Sequence, residues 1–503
     1  MGASAPQQWK FSQVFGERTP GDLIEDADRM DFFSVDVISA IEFESRGEYL
    51  AIGDHGGRIV LFESTIGINP HLRKELEHMD YPTPIHPRYT YKTEFQSHEP
   101  EFDYLTSLEI DEKLNKLRWC AAPNNSMFLL STNDRTIKLW KVLPYKVKEV
   151  KEMNLNPPVS SENTLLAENS FMADQNKSSI INGYRLEWLP KRQRNLSPPN
   201  CGDPLPLSML NIRDGAWARC RRVYAHAHDY KINSISNNSD GESFISADDL
   251  RINLWNLEIS NQCFNIIDMK PSNMDDLIEV ITAAEFHPTH CNLLAYGSSR
   301  GFIRLFDMRQ SALCDQNARI LKDPEYQGAR SFFTEIVASI SDLKFAKDGT
   351  HILSRDYMYL KLWDMRMEEA PVATFKMHEF LRPKLSEMYN NDSIFDKFDC
   401  CLSSDGHQFA SGSYSNTFKI FTRGGQENGL ILDICKCTQR PSHCTNRRTP
   451  RRLRSFAWRQ RGNENSDSII PCDITSKVIH MAWHPTADMV ACASASSLYI
   501  YSS

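Results

Sequence analysis

Residues 131–142 read STNDRTIKLWKV, a polar turn running into a short stretch that ends Ile-x-Leu-Trp. Ile137 and Leu139 alternate with polar residues, the period of two that a half-buried strand requires. Six further copies align on their last aromatic residue. They are GDHGGRIVLF ending at Phe62, SADDLRINLW at Trp255, GSSRGFIRLF at Phe306, SRDYMYLKLW at Trp363, GSYSNTFKIF at Phe421 and the degenerate ASASSLYIY at Tyr501.

Upstream of each copy stand two more short apolar segments, as in ISAIEFESRGEYLAIGD (38–54) and INSISNNSDGESFISADD (232–249). Gly47, Asp240, Gly241, Asp348, Gly349, Asp405 and Gly406 supply turn chemistry between the first two strands of their units. Strand, turn, strand, tight turn, strand, repeated seven times at about 40–45 residues per unit, predicts an all-β, seven-bladed propeller. A β-sandwich is the competing architecture, and it leaves the repeats to coincidence. Seven blades need roughly 300 residues, so the 503-residue chain carries long additions. The wide gaps, Trp140 to Trp255 and Phe421 to Tyr501, show where they lie. We therefore expect one propeller domain over 1–503, a long insertion or arm over 143–220 after the second blade, and a basic loop insertion over 424–475. The arm should project from the blades with a partly disordered middle. The alternating segment WKFSQVF places a closing strand over 9–16, because a ring must pair its last open edge.

Thirteen Cys without paired spacing, and a polar start (MGASAPQQ), point to free thiols in a reducing compartment. No apolar run approaches the ~18 residues of a membrane helix. A net charge of −8 argues against general nucleic-acid binding. The charge is uneven. Residues 94–112 carry seven acids and no Lys or Arg, and residues 440–461 carry eight Arg and no acid. The first is either a solvated rim or a docking surface. The second is a loop, an import signal or a patch for an anionic partner. Nucleotide-binding, serine-hydrolase and zinc-protease motifs are absent. Cys435, Cys437, His443 and Cys444 cluster, but without the usual two-residue zinc clip. His287-Pro288 and His484-Pro485 fall at first interstrand turns, where a structural role is expected. Neither cofactor nor catalytic group is expected.

Several long strings carry a resemblance: FQSHEPEFDYL (95–105), ADDLRINLWNLEI (247–259), VITAAEFHP (280–288), RSFFTEI (330–336) and NDSIFDKFDC (391–400). Together with STNDRTIKLWK they resemble the WD-repeat B-family (55-kilodalton class) regulatory subunit of serine/threonine protein phosphatase type 2A. The middle insertion and the Arg run resemble plant members. The resemblance runs from Trp9 to Tyr501 and is weakest over 143–220 and 424–475. It implies a WD-repeat propeller without catalytic activity that binds a helical-repeat scaffold subunit and, through it, a catalytic subunit. The arm within 143–220 would grip the scaffold. An acidic groove on one face would recruit phosphoprotein substrates and inhibitors. The location implied is cytoplasmic, with the nucleus as a second site.

Residue by residue, the resemblance assigns the groove to Tyr230, Asp249, Asp275, Asp276, Leu277, Val280, Asp392 and Lys397. Lys231, His55 and Asn390 depart from the family's more usual His, Lys and Glu, which shifts the groove's charge. Read from chemistry alone, Asp134 and Asp249 occupy the same position ahead of their strands and could each cap the tight turn. Asp248 could take that role in its blade and free Asp249. Leu277 and Val280, three apart, suit an apolar helical face or the core. A propeller receptor of a ubiquitin ligase or chromatin complex is the alternative function, resting on fold analogy. A stand-alone enzyme is the weakest reading.

Overall fold

The computed structural model describes residues 9–16, 37–65, 87–104, 107–121, 126–143, 149–150, 212–213, 218–309, 318–324, 331–424, 429–434 and 473–503. The cysteine–histidine cluster, the Arg run 440–461 and nearly all of the arm lie outside them. The described strands build seven four-stranded antiparallel sheets, which are the blades. In blades 1 to 6 the inner strands are Ile38–Phe43, Lys116–Cys120, Ser234–Asn237, Ile281–Phe286, Asp342–Phe345 and Cys400–Leu402. Blade 7 runs outward from Val478–Trp483 through Met489–Ser494 and Ser497–Ser502 to Lys10–Phe15 as its outer strand. Phe11 lies opposite Tyr501 and Phe15 opposite Leu498. Trp9 meets Trp483 edge to face at 5.3 Å. Gln13 reaches across the seam, donating to the Tyr89 carbonyl and accepting from the Tyr89 N–H at 3.0 and 2.8 Å.

Each aligned aromatic lies in a third strand, close to its end. These strands carry one apolar side chain in two toward the neighbouring blade, and the second strands are buried on both faces, as in HILSR (351–355). The Pro144–Trp217 insertion leaves blade 2 between its third strand, Ile137–Val142, and its fourth, Ala218–Tyr224. The fourth strand therefore joins its blade only after the insertion, with Ile137 opposite Tyr224. Within that second compact unit, Glu149–Val150 pairs with Ile212–Arg213.

A polar chain locks blade 3. The His228 Nδ1–H donates to Asp248 at 2.9 Å. The Ser246 hydroxyl meets His228 Nε2 at 2.6 Å and accepts from the Trp255 indole N–H at 2.8 Å. Asp248 also accepts from the N–H groups of Leu250 and Arg251, capping the tight turn. Blade 5 keeps the Trp363–Ser354 bond but replaces the histidine with Lys361, buried between Asp323 and Asp356 at 2.7 and 2.9 Å. The two buried carboxylates are tolerable there because both pair with the Lys361 ammonium.

At the opposite end, between first and second strands, the expected structural histidines latch neighbouring blades. His287 Nδ1 accepts from Thr289 and His290 N–H, leaving Nε2–H to donate to the Gly349 carbonyl at 2.7 Å. His484 Nδ1 likewise accepts from Thr486 and Ala487, and Nε2 meets the Gly47 carbonyl at 3.3 Å. Gly47 and Gly349 have φ of 75° and 67°, and a Cβ on either would collide with the incoming imidazole. Burial pushes both imidazoles below their ordinary pKa, in keeping with the neutral form these bonds require.

Candidate functional site

The outer-to-inner connections and the turns between second and third strands emerge together at the end of the ring away from the latches. Every predicted groove residue stands there. Tyr230 lies in the connection from blade 2 to blade 3, Asp249 in the second turn of blade 3, and 275–280 in the connection from blade 3 to blade 4. Asp392 and Lys397 lie in the connection from blade 5 to blade 6.

Asp249 is half-buried beside the axis, since its carbonyl accepts from Ile281 N–H, the first residue of the next inner strand. Burial raises its carboxyl pKa, while Lys397, the Asn233 side chain and Lys231 pull it down. Lys397 is exposed as a residue, yet loss of water around its ammonium lowers its pKa, opposed by Asp249. Asp249 and Lys397 thus share one electrostatic site although they come from blades 3 and 5. Lys231 pairs with Asp134 at 3.2 Å across the turn of blade 2. His55, in the corresponding turn of blade 1, is pushed down to about 4 by burial and by Lys113, His480 and Lys231. The mouth of the channel therefore mixes one partly protected carboxylate with several cations.

Below the mouth the channel is bridged by ion pairs. Lys116 of blade 2 reaches Asp399 at the entry to blade 6 at 2.9 Å, and His480 of blade 7 joins the same carboxylate at 2.8 Å. Burial would raise Asp399, but Lys116 and His480 outweigh it and hold the carboxyl well below the usual range. Arg118 spans from Glu42 at 2.8 Å to Glu285 at 3.7 Å. Among the described residues no cluster of His, Cys, Asp and Glu could hold a metal ion.

Two local expectations need correction. Asn133, not Asp134, caps the turn of the opening stretch: its side chain accepts from Arg135 and Thr136 N–H at 3.0 and 2.8 Å. Asp134 turns to Asn115 and Lys231 instead. Asn133 is therefore the counterpart of Asp248, and Asp249, like Asp134, is released from capping. The helical face over Leu277 and Val280 does not form. A 3-10 turn spans only Met274–Asp276, capped by the Asn273 side chain on Asp275 N–H, and Leu277 is already extended at φ −67° and ψ 115°. Both side chains are half-buried, with Ile278 between them 72% exposed. Asp275 and Asp276 face solvent.

Sequence reasoning passed over an aromatic patch on the same face. Helix α1, Phe332–Val337, starts at Ser331, whose hydroxyl accepts from Thr334 N–H. Helix α2, Leu385–Asn390, leads into Asp392, whose φ of 55° turns the chain into Ser393–Phe395. Phe332 packs edge to face on Tyr389 at 5.3 Å, and Tyr389 leans on Phe395 at 5.9 Å. All three remain exposed, at 59, 38 and 53%. Adjacent aromatics in RSFFTEI, between blades, were the available signal. An exposed apolar patch thus stands at the same end of the ring as the charged mouth.

The chain matches the family model "WD domain, G-beta repeat" over residues 218–256, the stretch that holds the His228–Asp248–Ser246–Trp255 chain of bonds. It is 54% identical to the beta isoform of the 55 kDa regulatory B-type subunit of serine/threonine protein phosphatase 2A from Arabidopsis thaliana, over 98% of this chain and 96% of that one. Identity to the alpha isoform from the same plant is 53%, covering 99% and 97%. The B-type regulatory subunit of protein phosphatase PP2A from Schizosaccharomyces pombe is 45% identical over 98% of each chain.

Proposed function

Because the chain belongs to the family of 55 kDa B-type regulatory subunits of protein phosphatase 2A, we propose that it selects substrates for that phosphatase by holding them on the connection end of its propeller. The chain is a non-catalytic regulator associated with the phosphatase 2A complex. The observation that carries the finer role is that Asp249, coupled to Lys397, and the exposed aromatics Phe332, Tyr389 and Phe395 all emerge at one end of the ring. Asp249 and the exposed Asp275, Asp276 and Asp392 would pair with basic residues of a bound segment. Tyr230, Leu277 and Val280, with Phe332 and Tyr389, would take its apolar ones. Lys397 opposes the rise that burial imposes on the Asp249 carboxyl and so tunes how strongly the face attracts basic peptides.

Such a regulator stabilises no transition state. It raises the effective concentration of chosen phosphoproteins and inhibitors next to the catalytic subunit. The insertion within 143–220 would supply the grip on the helical-repeat scaffold. The cytoplasm, with the nucleus as a second location, is where this role would be exercised. The test is reconstitution with scaffold and catalytic subunits. A Gly/Ser linker in place of residues 144–217 should abolish co-purification while the propeller still melts cooperatively. Retained association at near-parental affinity would place the grip elsewhere.

A further inference from the structure

Between blades 1 and 2 the chain forms a small ribbon of its own. Glu101–Asp103 pairs with Leu108–Ile110 and, among the described residues, with no other strand. Phe102 stands opposite Glu109, while Asp103 faces Leu108 and Glu101 faces Ile110. Opposed residues share a face, so each side of the ribbon presents apolar and acidic groups together. Phe102 is 47% exposed, Leu108 50% and Tyr104, packed edge-on against Phe102 at 5.0 Å, 86%. A two-stranded ribbon with both faces wet is marginal by itself. Three large apolar side chains on one such ribbon mark a surface that is completed by something else.

We propose that the Arg-rich segment 440–461 of the same chain docks on this ribbon. Three observations favour that occupant. First, composition is complementary: the seven acids of 94–112 have no internal cation, and the eight Arg of 440–461 have no internal acid. Within the segment, Leu453, Phe456 and Trp458 are spaced among the arginines as the ribbon's apolar groups are among its acids. Second, both belong to outer-to-inner connections, from blade 1 to 2 and from blade 6 to 7, which leave the ring at the same end. Third, the reach is sufficient. Thirteen residues from Ile434 to Arg447 can extend about 43 Å, and tethering gives the contact an effective concentration on the order of millimolar. This contact is independent of the recruiting role proposed above.

Hydrogen exchange on the full chain tests it. In low salt, amides over 101–110 should exchange about tenfold faster in the Arg451→Glu, Arg452→Glu, Arg454→Glu variant than in the parent. The blades should melt at the parental temperature, because the substitutions lie outside them. Adding Glu101→Arg, Asp103→Arg and Glu109→Arg to that variant should restore slow exchange. High salt should mimic the variant. Equal exchange in parent and variant overturns the proposal. So does protection that grows with protein concentration, which would make a second copy the occupant. Protection that arises only when scaffold and catalytic subunits are added overturns it too, since the ribbon would then be a contact for another protein.

Discussion

The two ends of this propeller are made from the same strands and spend their polar groups differently. At the latch end, His287 and His484 use both ring nitrogens, two backbone N–H groups and one carbonyl apiece, and the glycines opposite leave no room for anything else. At the connection end, Asp249 is relieved of capping by Asp248, and Phe332 and Tyr389 stay in water. A repeat needs only one end to hold its blades in step, and the other is then open to selection for partners. The difference can be broken from either side.

The largest effect should come from the seam on which both ends depend. Removing residues 1–16 strips Trp9, Phe11 and Phe15 from blade 7 and uncovers the edge of Ser497–Ser502. The lost burial is about 5 kcal/mol. Scanning calorimetry should show a lower and broader transition, and light scattering should show aggregation. An unchanged melting curve would mean the strand contributes nothing to closure.

Next comes the latch end. His484→Ala leaves the N–H groups of Thr486 and Ala487 without their acceptor and should cost about 2–3 kcal/mol. Binding of phosphatase subunits should survive in the folded fraction. Acid should act on the same groups. His287 and His484 have folded pKa values below 6.5, and so does His55 at the connection end, at about 4. The unfolded chain therefore binds more protons as pH falls. Stability is full above about 6.5 and declines below it, by up to about 1.4 kcal/mol per pH unit per group until the folded pKa is reached. Denaturant titrations at pH 7.5 and 5 measure this, and the slope should be shallower in His484→Ala.

The connection end should answer to binding and not to melting. Asp249→Lys and Leu277→Arg should each weaken substrate capture at least tenfold, about 1.4 kcal/mol. Scaffold and catalytic subunits should stay bound. Phe332→Ala should behave the same way, since it is exposed and packs on Tyr389. Parental rates of substrate dephosphorylation in all three would remove the groove assignment.

The smallest effect sharpens the contrast within one turn. Asn133→Ala should cost about 1–2 kcal/mol by uncapping Arg135 and Thr136. Asp134→Ala, whose partners are Asn115 and the exposed Lys231, should cost less than about 1 kcal/mol. Paired denaturation curves decide it. Equal costs would erase the distinction between capping and free positions.

The seven third strands were legible because alternation and a terminal aromatic are local signals, and a blade needs little else. The site was legible only in part. Asp248 and Asp249 could be told apart because two acids stand in a turn that needs one cap. At Asn133–Asp134 the same logic was ambiguous, since either side chain can accept from the turn. The spacing of Leu277 and Val280 suggested a helix, but Asn273 caps a turn too short to reach them. The Phe332–Tyr389–Phe395 patch brings together residues from two connections. No periodicity within either segment encodes that meeting.

The pairing of Lys10–Phe15 with Ser497–Ser502 also sets a timetable for biosynthesis. At roughly 5–20 residues per second, the first strand leaves the ribosome about 25–100 s before its partner exists. Throughout that interval WKFSQVF is an apolar strand with no neighbour, and blade 7 does not yet exist to receive it. Blade 2 waits in miniature, its fourth strand held back by the insertion. Folding of this chain is therefore a race between ring closure and self-association. Its yield in a cell should depend on chaperones that shield Lys10–Phe15 until Ser497–Ser502 arrives.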